Sequence, residues 1–466
     1  MNYLTIDFGS TYTKLSAIDG AQEKIVGTAS SFTTIETDVM EGFHNALTQL
    51  HEQIGEFRYD QLLCCSSAAG GLKMVALGLV PELTAKAAKM AAASAGAKVV
   101  KTYAYEISKS EQDEIGQIKP DLVLLCGGTD GGNKEVIVAN AKRLAQIPEN
   151  FAVIVAGNKS ASYELEAVFK EAGKPYVITE NVMPEFNKLN IEPAKQCIKE
   201  LFISRIIDAK GLSQAQALSP YQIIPTPLAV LNACELLSKG TLHTPGIGDL
   251  LAVDIGGATT DIYSMSKGHP TLDSVMYKGL PEPYNKRTVE GDLGMRYSLS
   301  ALLEEVNLEL LEMNSGIPAQ AYREWVAACT DNPDLLAQAG SEEQRIEENL
   351  ARMAVDIAVE RHTGVYAQAF TPLGEVFTLV GKDLSEVPYV IGIGGVIVNS
   401  PSPAYILEGA VAKPLDFEHP KPKAPAYLLD QKYIFASMGL LSAVDPDLAL
   451  KLLKKEIINV TENSYT

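Results

Sequence analysis

The stretch from Leu250 to Ser264, LLAVDIGGATTDIYS, combines the residue types that hold a phosphate group and its metal ion. Asp254 lies near the end of an apolar run, and small, hydroxyl-bearing or acidic residues follow it at Gly256, Gly257, Thr259, Thr260 and Asp261. Glycines let backbone N–H groups approach an anion, hydroxyls add donors, and a carboxylate holds Mg²⁺ through water. The apolar run, the break and the alternation after it predict a β-hairpin. A plain hairpin whose Asp and Thr side chains only bond the turn explains the stretch equally well.

A second stretch of the same design opens the chain, from Tyr3 to Ile18, YLTIDFGSTYTKLSAI. Its carboxylate is Asp7, and the residues that would wrap a phosphate are Gly9, Ser10, Thr11 and Tyr12. One such hairpin is weak evidence for chemistry. Two in one chain are the arrangement expected when two lobes each offer a loop to one polyphosphate.

Length and charge limit the classes of partner. A chain of 466 residues suits two or three domains. Its 39 basic and 58 acidic residues give a net charge of −19, which repels nucleic acid and anionic membranes. We therefore expect neither as a partner, and we expect polyphosphate to be held by local backbone donors and Mg²⁺.

The cysteines and the chain start indicate the compartment. Six cysteines show no CxxC or Cys/His metal spacing, and the histidines form no HExxH pair. The N-terminus enters a strand at once, without the pattern of a signal peptide. We expect a cytoplasmic protein without a structural metal.

The rhythm of predicted elements changes twice along the chain. Residues 1–71 indicate a three-strand meander, a helix and a strand, and residues 213–466 return to strands and long helices. Between them, residues 72–212 alternate strand and helix strictly, which predicts an inserted, doubly wound α/β domain. Its predicted helices are Glu82–Ala95, Lys134–Gln146, Ser160–Ala172 and Pro193–Ala209, and its predicted strands are Val99–Tyr105, Asp121–Cys126, Ala152–Ala156 and Tyr176–Thr179. Its loop CGGTDGG, Cys126 to Gly132, allows an anion site, although a glycine-rich turn is the simpler interpretation.

Later segments complete the pattern. We predict a helix over Ser298–Met313, an amphipathic helix over Glu342–Arg361, a strand over Pro388–Asn399, a surface loop over Pro401–Pro425 and a closing helix over Lys432–Ala443. Three glycines, Gly392, Gly394 and Gly395, lie in the second half of the strand predicted over Pro388–Asn399.

The paired hairpins resemble phosphate motifs 1 and 2 of the actin, sugar-kinase and heat-shock-chaperone ATPase superfamily. The resemblance implies an α/β fold of two ribonuclease-H-like lobes with ATP between them. It also implies that Asp7 and Asp254 are catalytic and hold Mg²⁺, and that the hairpin loops, Glu290 and the three late glycines contact the nucleotide. Chaperones of this superfamily carry an acidic residue before a Pro-Thr pair, where Ile224 stands here before Pro225. That departure predicts a slow or differently arranged ATPase.

Over its full length the chain resembles glutamate mutase accessory proteins of the MutL or GlmL type. The resemblance rests on IDFGSTYTKLSAID, DLVLLCGGTDGG, AVDIGGATTDIYS and KRTVEGDLGMR. It implies a chaperone that uses ATP to release spent cobalamin from adenosylcobalamin-dependent glutamate mutase, with the mutase subunits and ATP or ADP as partners. The insert is then expected to touch the partner protein. A small-molecule kinase and a filament-forming actin-like ATPase remain the alternatives.

Overall fold

The computed structural model describes residues 1–9, 12–33, 39–67, 73–209, 212–371, 374–414 and 416–461, with the backbone alone at 202–209, 371 and 375. These residues form two compact units. The first contains Met1–Ala233, Gly279–Pro281 and Ala436–Leu452, and the second contains Cys234–Lys278, Glu282–Phe435 and Leu453–Thr466.

The first unit holds ten strands and the first helices. The strands are β1 (Asn2–Phe8), β2 (Tyr12–Asp19), β3 (Lys24–Phe32), β4 (Gln61–Ser66), β5 (Lys73–Gly78), β6 (Lys98–Ala104), β7 (Leu122–Leu125), β8 (Ala152–Val155), β9 (Tyr176–Ile178) and β10 (Ile224–Pro225). The helices are α1 (Val39–Ile54), a π-helical turn (Pro81–Ala85), α2 (Lys86–Ser94), α3 (Lys109–Ile118), α4 (Glu135–Ala145), a 3₁₀ turn (Lys159–Ala161), α5 (Ser162–Glu171), α6 (Glu192–Ala209) and α7 (Ser213–Leu218). Helix α8 (Thr226–Lys239) begins in this unit and ends in the second.

Two sheets lie in the first unit. The first has the order β10-β4-β1-β2-β3, with β1, β2 and β3 antiparallel and β4 and β10 parallel to β1. That is the order 5-4-1-2-3 of a ribonuclease-H-like sheet. The second has the order β6-β5-β7-β8-β9 and is parallel throughout, which is a doubly wound order.

Alternate residues of the parallel sheet pack into two different hydrophobic cores. Ala76 and Leu124 join one core with Leu4 and Phe43 of the ribonuclease-H-like part, whereas the odd-numbered residues of the same strands join a second core. Helices therefore cover both faces of the sheet, as doubly wound folds require. Because one core spans both sheets, and residues 68–72 and 210–211 lie outside the described residues, the insert boundaries at 72 and 212 remain predictions.

The second unit holds the remaining elements. Its strands are β11 (Leu250–Ile255), β12 (Thr260–Met265), β13 (Val275–Tyr277), β14 (Asn285–Glu290), β15 (Val365–Thr371), β16 (Gly374–Val380), β17 (Tyr389–Ile393), β18 (Ala426–Leu429) and β19 (Ile458–Asn459). Its helices are α9 (Leu299–Glu305), α10 (Leu308–Ser315), α11 (Ala319–Asp331), α12 (Glu342–His362), α13 (Gly395–Val398), α14 (Pro403–Leu407) and a 3₁₀ turn (Glu408–Ala410). Helices α15 (Phe435–Leu441) and α16 (Pro446–Glu456) have residues in both units.

The main sheet of the second unit repeats the topology of the first. Its order is β14-β12-β11-β17-β18-β19, with β11, β12 and β14 antiparallel and β17 and β18 parallel to β11. The strands again run 3-2-1-4-5, and β19 adds to the edge. A separate sheet of β13, β16 and β15, called the wing below, completes the unit. The fold is therefore α/β, with two ribonuclease-H-like sheets and one doubly wound sheet.

Most predicted elements are confirmed within a few residues, and three are corrected. The helix predicted over Ser298–Met313 is broken into α9 and α10, because Asn307 caps a new helix by accepting a hydrogen bond from the Leu310 N–H. The strand predicted over Pro388–Asn399 ends at Ile393, after which the chain turns into α13. The predicted loop at Pro401–Pro425 contains α14, whose apolar side chains are buried.

The small residues of the closing helix allow close packing against a neighbouring helix, as the sequence predicts. Gly439 of α15 lies so close to the Ala229 carbonyl of α8 that a Cβ atom would not fit. No helix among the described residues has the length and apolar character needed to cross a membrane.

Candidate functional site

The two predicted hairpins pair in the same register around their carboxylates. Asp7 pairs with Lys14 across β1 and β2, and Asp254 pairs with Asp261 across β11 and β12, so each carboxylate faces a partner seven positions later. In the first loop the Gly9 N–H donates to the Tyr12 carbonyl at 3.0 Å. In the second the Gly256 N–H donates to the Thr259 carbonyl at 2.9 Å. The two carboxylates thus occupy equivalent places, near the end of the central strand in two sheets of like topology.

Asp7 is buried and held by two donors from other strands and helices. The Thr226 hydroxyl donates to its Oδ1 at 2.5 Å, and the Cys65 thiol donates to the same oxygen at 3.4 Å. Strand β10 brings Thr226 there because it pairs with β4, which in turn pairs with β1. Burial first, and then the nearby Asp7 charge, raise the pKa of Cys65 well above its usual value, so this cysteine stays a thiol. Both donors fall on Oδ1.

The rest of the first loop is described only in part. Ser10 and Thr11, predicted to wrap a phosphate, lie outside the described residues. Position 9 requires a glycine, because a Cβ atom there would collide with the Tyr12 carbonyl oxygen. The Tyr12 ring is exposed and stacks on Phe32 with the ring centroids 4.7 Å apart.

Asp254 is half-buried and lies against a glycine of the neighbouring strand end. Its backbone pairs with Ile393 of β17, and Gly394 follows directly in a left-handed conformation with φ of 95°. A Cβ built on Gly394 would lie 2.9 Å from Asp254 Oδ1 and would collide with the Ile255 carbonyl oxygen. Gly394 therefore makes room for the Asp254 carboxylate.

The two neighbouring glycines behave differently. Gly392 faces the core, where Ile397 and Leu407 leave no room for a side chain. Gly395 opens α13, and a Cβ there would meet nothing closer than 3.7 Å. Only Gly394 touches the Asp254 carboxylate, so the three glycines predicted together serve three different purposes.

We expect Gly394→Ala to lower the free energy of unfolding by at least about 2 kcal/mol, because strain at positive φ adds to the collision. Gly395→Ala is the matched control, since its site has room, and it is expected to change stability by less than about 0.5 kcal/mol. Urea unfolding measures both. Equal stability of the two variants would contradict the placement of Gly394 against Asp254.

A following segment clamps the second loop from outside. The Met295 N–H donates to the Gly256 carbonyl at 3.0 Å, and the Arg296 and Tyr297 N–H groups donate to the Gly257 carbonyl at 2.8 Å. The Ser298 hydroxyl lies 2.8 Å from the Ala258 carbonyl oxygen. These bonds hold the loop through the carbonyls of Gly256, Gly257 and Ala258.

Thr260 and Thr259 use their hydroxyls in different ways. Thr260 is fully buried, and its hydroxyl donates to the Leu293 carbonyl at 2.7 Å. Because the Thr260 side chain is fully buried, we expect it to hold the loop and not to reach a phosphate. The Thr259 hydroxyl donates to Asp261 Oδ2 at 3.2 Å.

Asp261 forms a buried ion pair with Arg287 of the adjacent strand β14. Arg287 Nε donates to Asp261 Oδ1 at 2.8 Å, and a second guanidinium nitrogen lies 2.6 Å from the same oxygen. Burial lowers the pKa of Arg287, but the charges of Asp261 and Tyr263 and the hydrogen bonds to them together raise it, so the net shift is upward and Arg287 stays charged. Asp261 is therefore charge-compensated within the protein.

Glu290 is likewise engaged by a cation. Arg361 of α12 donates to Glu290 Oε2 at 2.9 Å, and it also pairs with Asp292 and Glu305. One guanidinium thus joins the end of β14, the loop after it and α9. The predicted contact between Glu290 and nucleotide remains a prediction.

The glycine-rich loop of the parallel sheet is held by its own neighbours. The Asn158 amide accepts from the Gly131 N–H at 3.1 Å and donates to the Gly132 carbonyl at 3.0 Å. Asn181 donates to the Gly128 carbonyl and to Asp130, both at 3.0 Å. These bonds favour the interpretation of CGGTDGG as a structural turn.

Four residues around the hairpins were not assigned a role from the sequence: Cys65, Thr226, Arg287 and Arg361. The Pro-Thr pair drew attention to Thr226 in the sequence. Its contact with Asp7 joins residues 219 positions apart, so the sequence did not indicate that contact. Arg287 and Arg361 lie in segments that the sequence singled out, and nothing in the spacing indicates their carboxylate partners.

Two sheets of ribonuclease-H-like topology, each with a carboxylate-glycine hairpin on its central strand, define the actin-like ATPase fold. The chain belongs to the MutL protein family, whose model matches residues 3–457. Protein MutL of Clostridium tetanomorphum is 46% identical over 463 residues, which cover 98% of this chain and 99% of that protein.

Solved structures were matched at much lower identity. The nucleotide-free structure of an acetone carboxylase is 12% identical, with a TM-score of 0.38 over 94% of this chain and 70% of that one. A xylulose kinase from Bifidobacterium adolescentis is 10% identical, with a TM-score of 0.33 over 98% and 93% of the two chains. These TM-scores are too low to support a fold assignment. The assignment therefore rests on the strand orders of the two ribonuclease-H-like sheets.

Proposed function

We propose that this protein is an ATP-dependent reactivating chaperone for adenosylcobalamin-dependent glutamate mutase. In this role it binds mutase whose cobalamin has lost its adenosyl group and uses ATP to let the spent cofactor leave. The glutamate mutase accessory function comes from the family that the sequence resembles. Membership of the MutL family supports the client, and the two equivalent hairpins support the use of ATP.

The observation that carries the ATPase part is the equivalence of Asp7 and Asp254. Each follows an apolar strand, faces a position seven residues later and precedes a loop closed by a Gly N–H bond. Phosphoryl transfer needs positioned charges and donors more than covalent chemistry. Both hairpins offer these: a carboxylate followed by small, hydroxyl-rich residues.

The donor set suits Mg²⁺, which prefers carboxylate oxygens and water. Thr226 and Cys65 both donate to Oδ1 of Asp7. Asp7 would therefore hold the hydrated ion through its other carboxylate oxygen. Asp254 would polarise the attacking water or position it through Mg²⁺. The ion supplies neutralisation of phosphate charge. Gly256, Gly257 and Thr259 would hold the γ-phosphate, and the clamp at residues 295–298 keeps their loop in place.

The test uses glutamate mutase blocked with cyanocobalamin, incubated with this protein and Mg-ATP. We expect free cobalamin to pass a small-pore filter with ATP and to stay with the mutase when ADP replaces it. ATP hydrolysis without any release would remove the mutase as client. Release that is equal with ATP, ADP and no nucleotide would remove ATP from the mechanism.

A further inference from the structure

The outer edge of the wing has backbone groups that point away from its sheet. The Ala367 carbonyl faces β16, since it accepts from the Thr378 hydroxyl at 3.2 Å. The Tyr366 N–H points the other way and donates to the Glu418 carbonyl at 2.8 Å. Because backbone groups alternate along a strand, the N–H and C=O of Gln368 and Phe370 also point outward. Among the described residues, the contact between Glu418 and Tyr366 thus covers the inner end of this edge.

Strand β15 lacks the sequence features that usually prevent another strand from pairing with a sheet edge. Natural edge strands carry lysines, prolines or bulges that discourage another strand from adding to them. Strand β15, VYAQAFT, has no charge and no proline, and it pairs with β16 residue for residue over its whole length. In a chain with a net charge of −19, this neutral edge stands out.

Exposed aromatic side chains lie at both ends of the edge. Phe370 on β15 is 82% exposed, and Phe377 on the paired strand is 40% exposed. At the inner end Phe417, beside Glu418, is 79% exposed. Burying such rings removes apolar surface from water, so they favour an apolar partner.

The inner end is acidic. Asp416 and Glu360 lie on two sides of His419, whose two ring nitrogens face Asp416 at 3.2 Å and Glu360 at 4.0 Å, and Glu418 precedes this histidine in the chain. Glu360, Asp416 and His419 bring their ligand atoms within 4.8 Å of one another. Both ring nitrogens already face carboxylates, and the carboxylates leave net negative charge beside the edge.

We propose that the outer edge of β15 docks an extended segment of the mutase by strand addition. The segment presents apolar side chains to Phe370 and Phe377 and a lysine or arginine to the acidic inner end. Backbone hydrogen bonds would supply affinity, and the aromatic and acidic contacts would supply specificity. This inference rests on the proposed function, which supplies the partner.

The test compares Gln368→Pro with Gln368→Ala in the full chain. Proline removes the outward N–H and leaves the bonds to β16, which an edge strand tolerates. Alanine removes only the side chain. We expect Gln368→Pro to weaken binding of immobilised glutamate mutase at least tenfold and Gln368→Ala to bind within twofold of the unmodified chain. ATP hydrolysis should be unchanged in both.

Two further variants keep the test decisive if Gln368→Pro does not fold. Phe370→Ser removes an exposed ring and should weaken mutase binding. Glu418→Lys reverses a charge at the acidic inner end, and it should weaken mutase binding most at low salt, where charges are least screened. Mutase binding unchanged in the folded variants would overturn the docking site while leaving the chaperone function intact. Failure of the unmodified chain to bind or reactivate mutase would overturn the function itself. A dimer in sedimentation that Gln368→Pro converts to monomer would assign the edge to a second copy instead.

Discussion

Asp254→Asn is expected to lower the rate of ATP hydrolysis by about 10²- to 10⁴-fold, the usual cost of removing a carboxylate that positions a reacting water. The amide keeps the size of the side chain, so the contact with Gly394 survives. What it loses is the negative charge that, in the proposed mechanism, orients water or Mg²⁺. The rate of phosphate release, measured at saturating Mg-ATP, reports the loss.

The control for Asp254→Asn is stability. Because Asp254 is only half-buried, we expect the urea midpoint to shift little. A variant that folds and still hydrolyses ATP at the original rate would contradict the catalytic assignment. A variant that loses activity together with its fold would not test it, so Asp254→Glu, which keeps the charge and moves it, is measured in parallel. We expect partial activity from Asp254→Glu.

Local pattern was enough to predict the two hairpins and most of the helices. The apolar strand, the glycine break and the alternation around Asp254 are consecutive in sequence, and so is the amphipathic spacing of Glu342–Arg361. The same holds for the strand–helix alternation of the insert. Each of these signals depends only on neighbours along the chain.

The wing was missed although its sequence carries a strand signal. Strands β15 and β16 are rich in β-branched and aromatic residues, but their apolar residues do not alternate cleanly because the outer part of the sheet is exposed on both faces. Period-2 patterning appears when one face is buried. The same exposure that hid the wing from sequence analysis is what makes its edge available to a partner.

Side-chain partners of the site were beyond sequence reasoning. Cys65 and Thr226 reach Asp7 through strand pairing, and that pairing is fixed only when the sheet forms. Arg361 finds its three carboxylates because α12 ends beside β14. Spacing along the chain does not encode such contacts, so the sequence indicated which loops matter and the structure indicates what holds them.

Arg287→Ala is expected to lower the free energy of unfolding by about 3–5 kcal/mol, because it leaves the Asp261 carboxylate buried without its partner. Arg287 and Asp261 are both buried, so water replaces the lost contact poorly. Urea unfolding followed by circular dichroism measures the change. Unchanged stability would mean that the pair is absent in solution.

The double variant Asp261→Leu with Arg287→Met separates charge from packing. Replacing both members of a buried pair with apolar residues of similar volume is often neutral, so we expect it to recover most of the stability lost by Arg287→Ala. Its ATPase rate then decides what Asp261 does. A folded double variant that hydrolyses ATP normally would assign Asp261 to the support of the hairpin. If instead it folds and cannot bind nucleotide, Asp261 contacts the ligand as well, and the ion pair serves to hold that carboxylate charged beside Thr259.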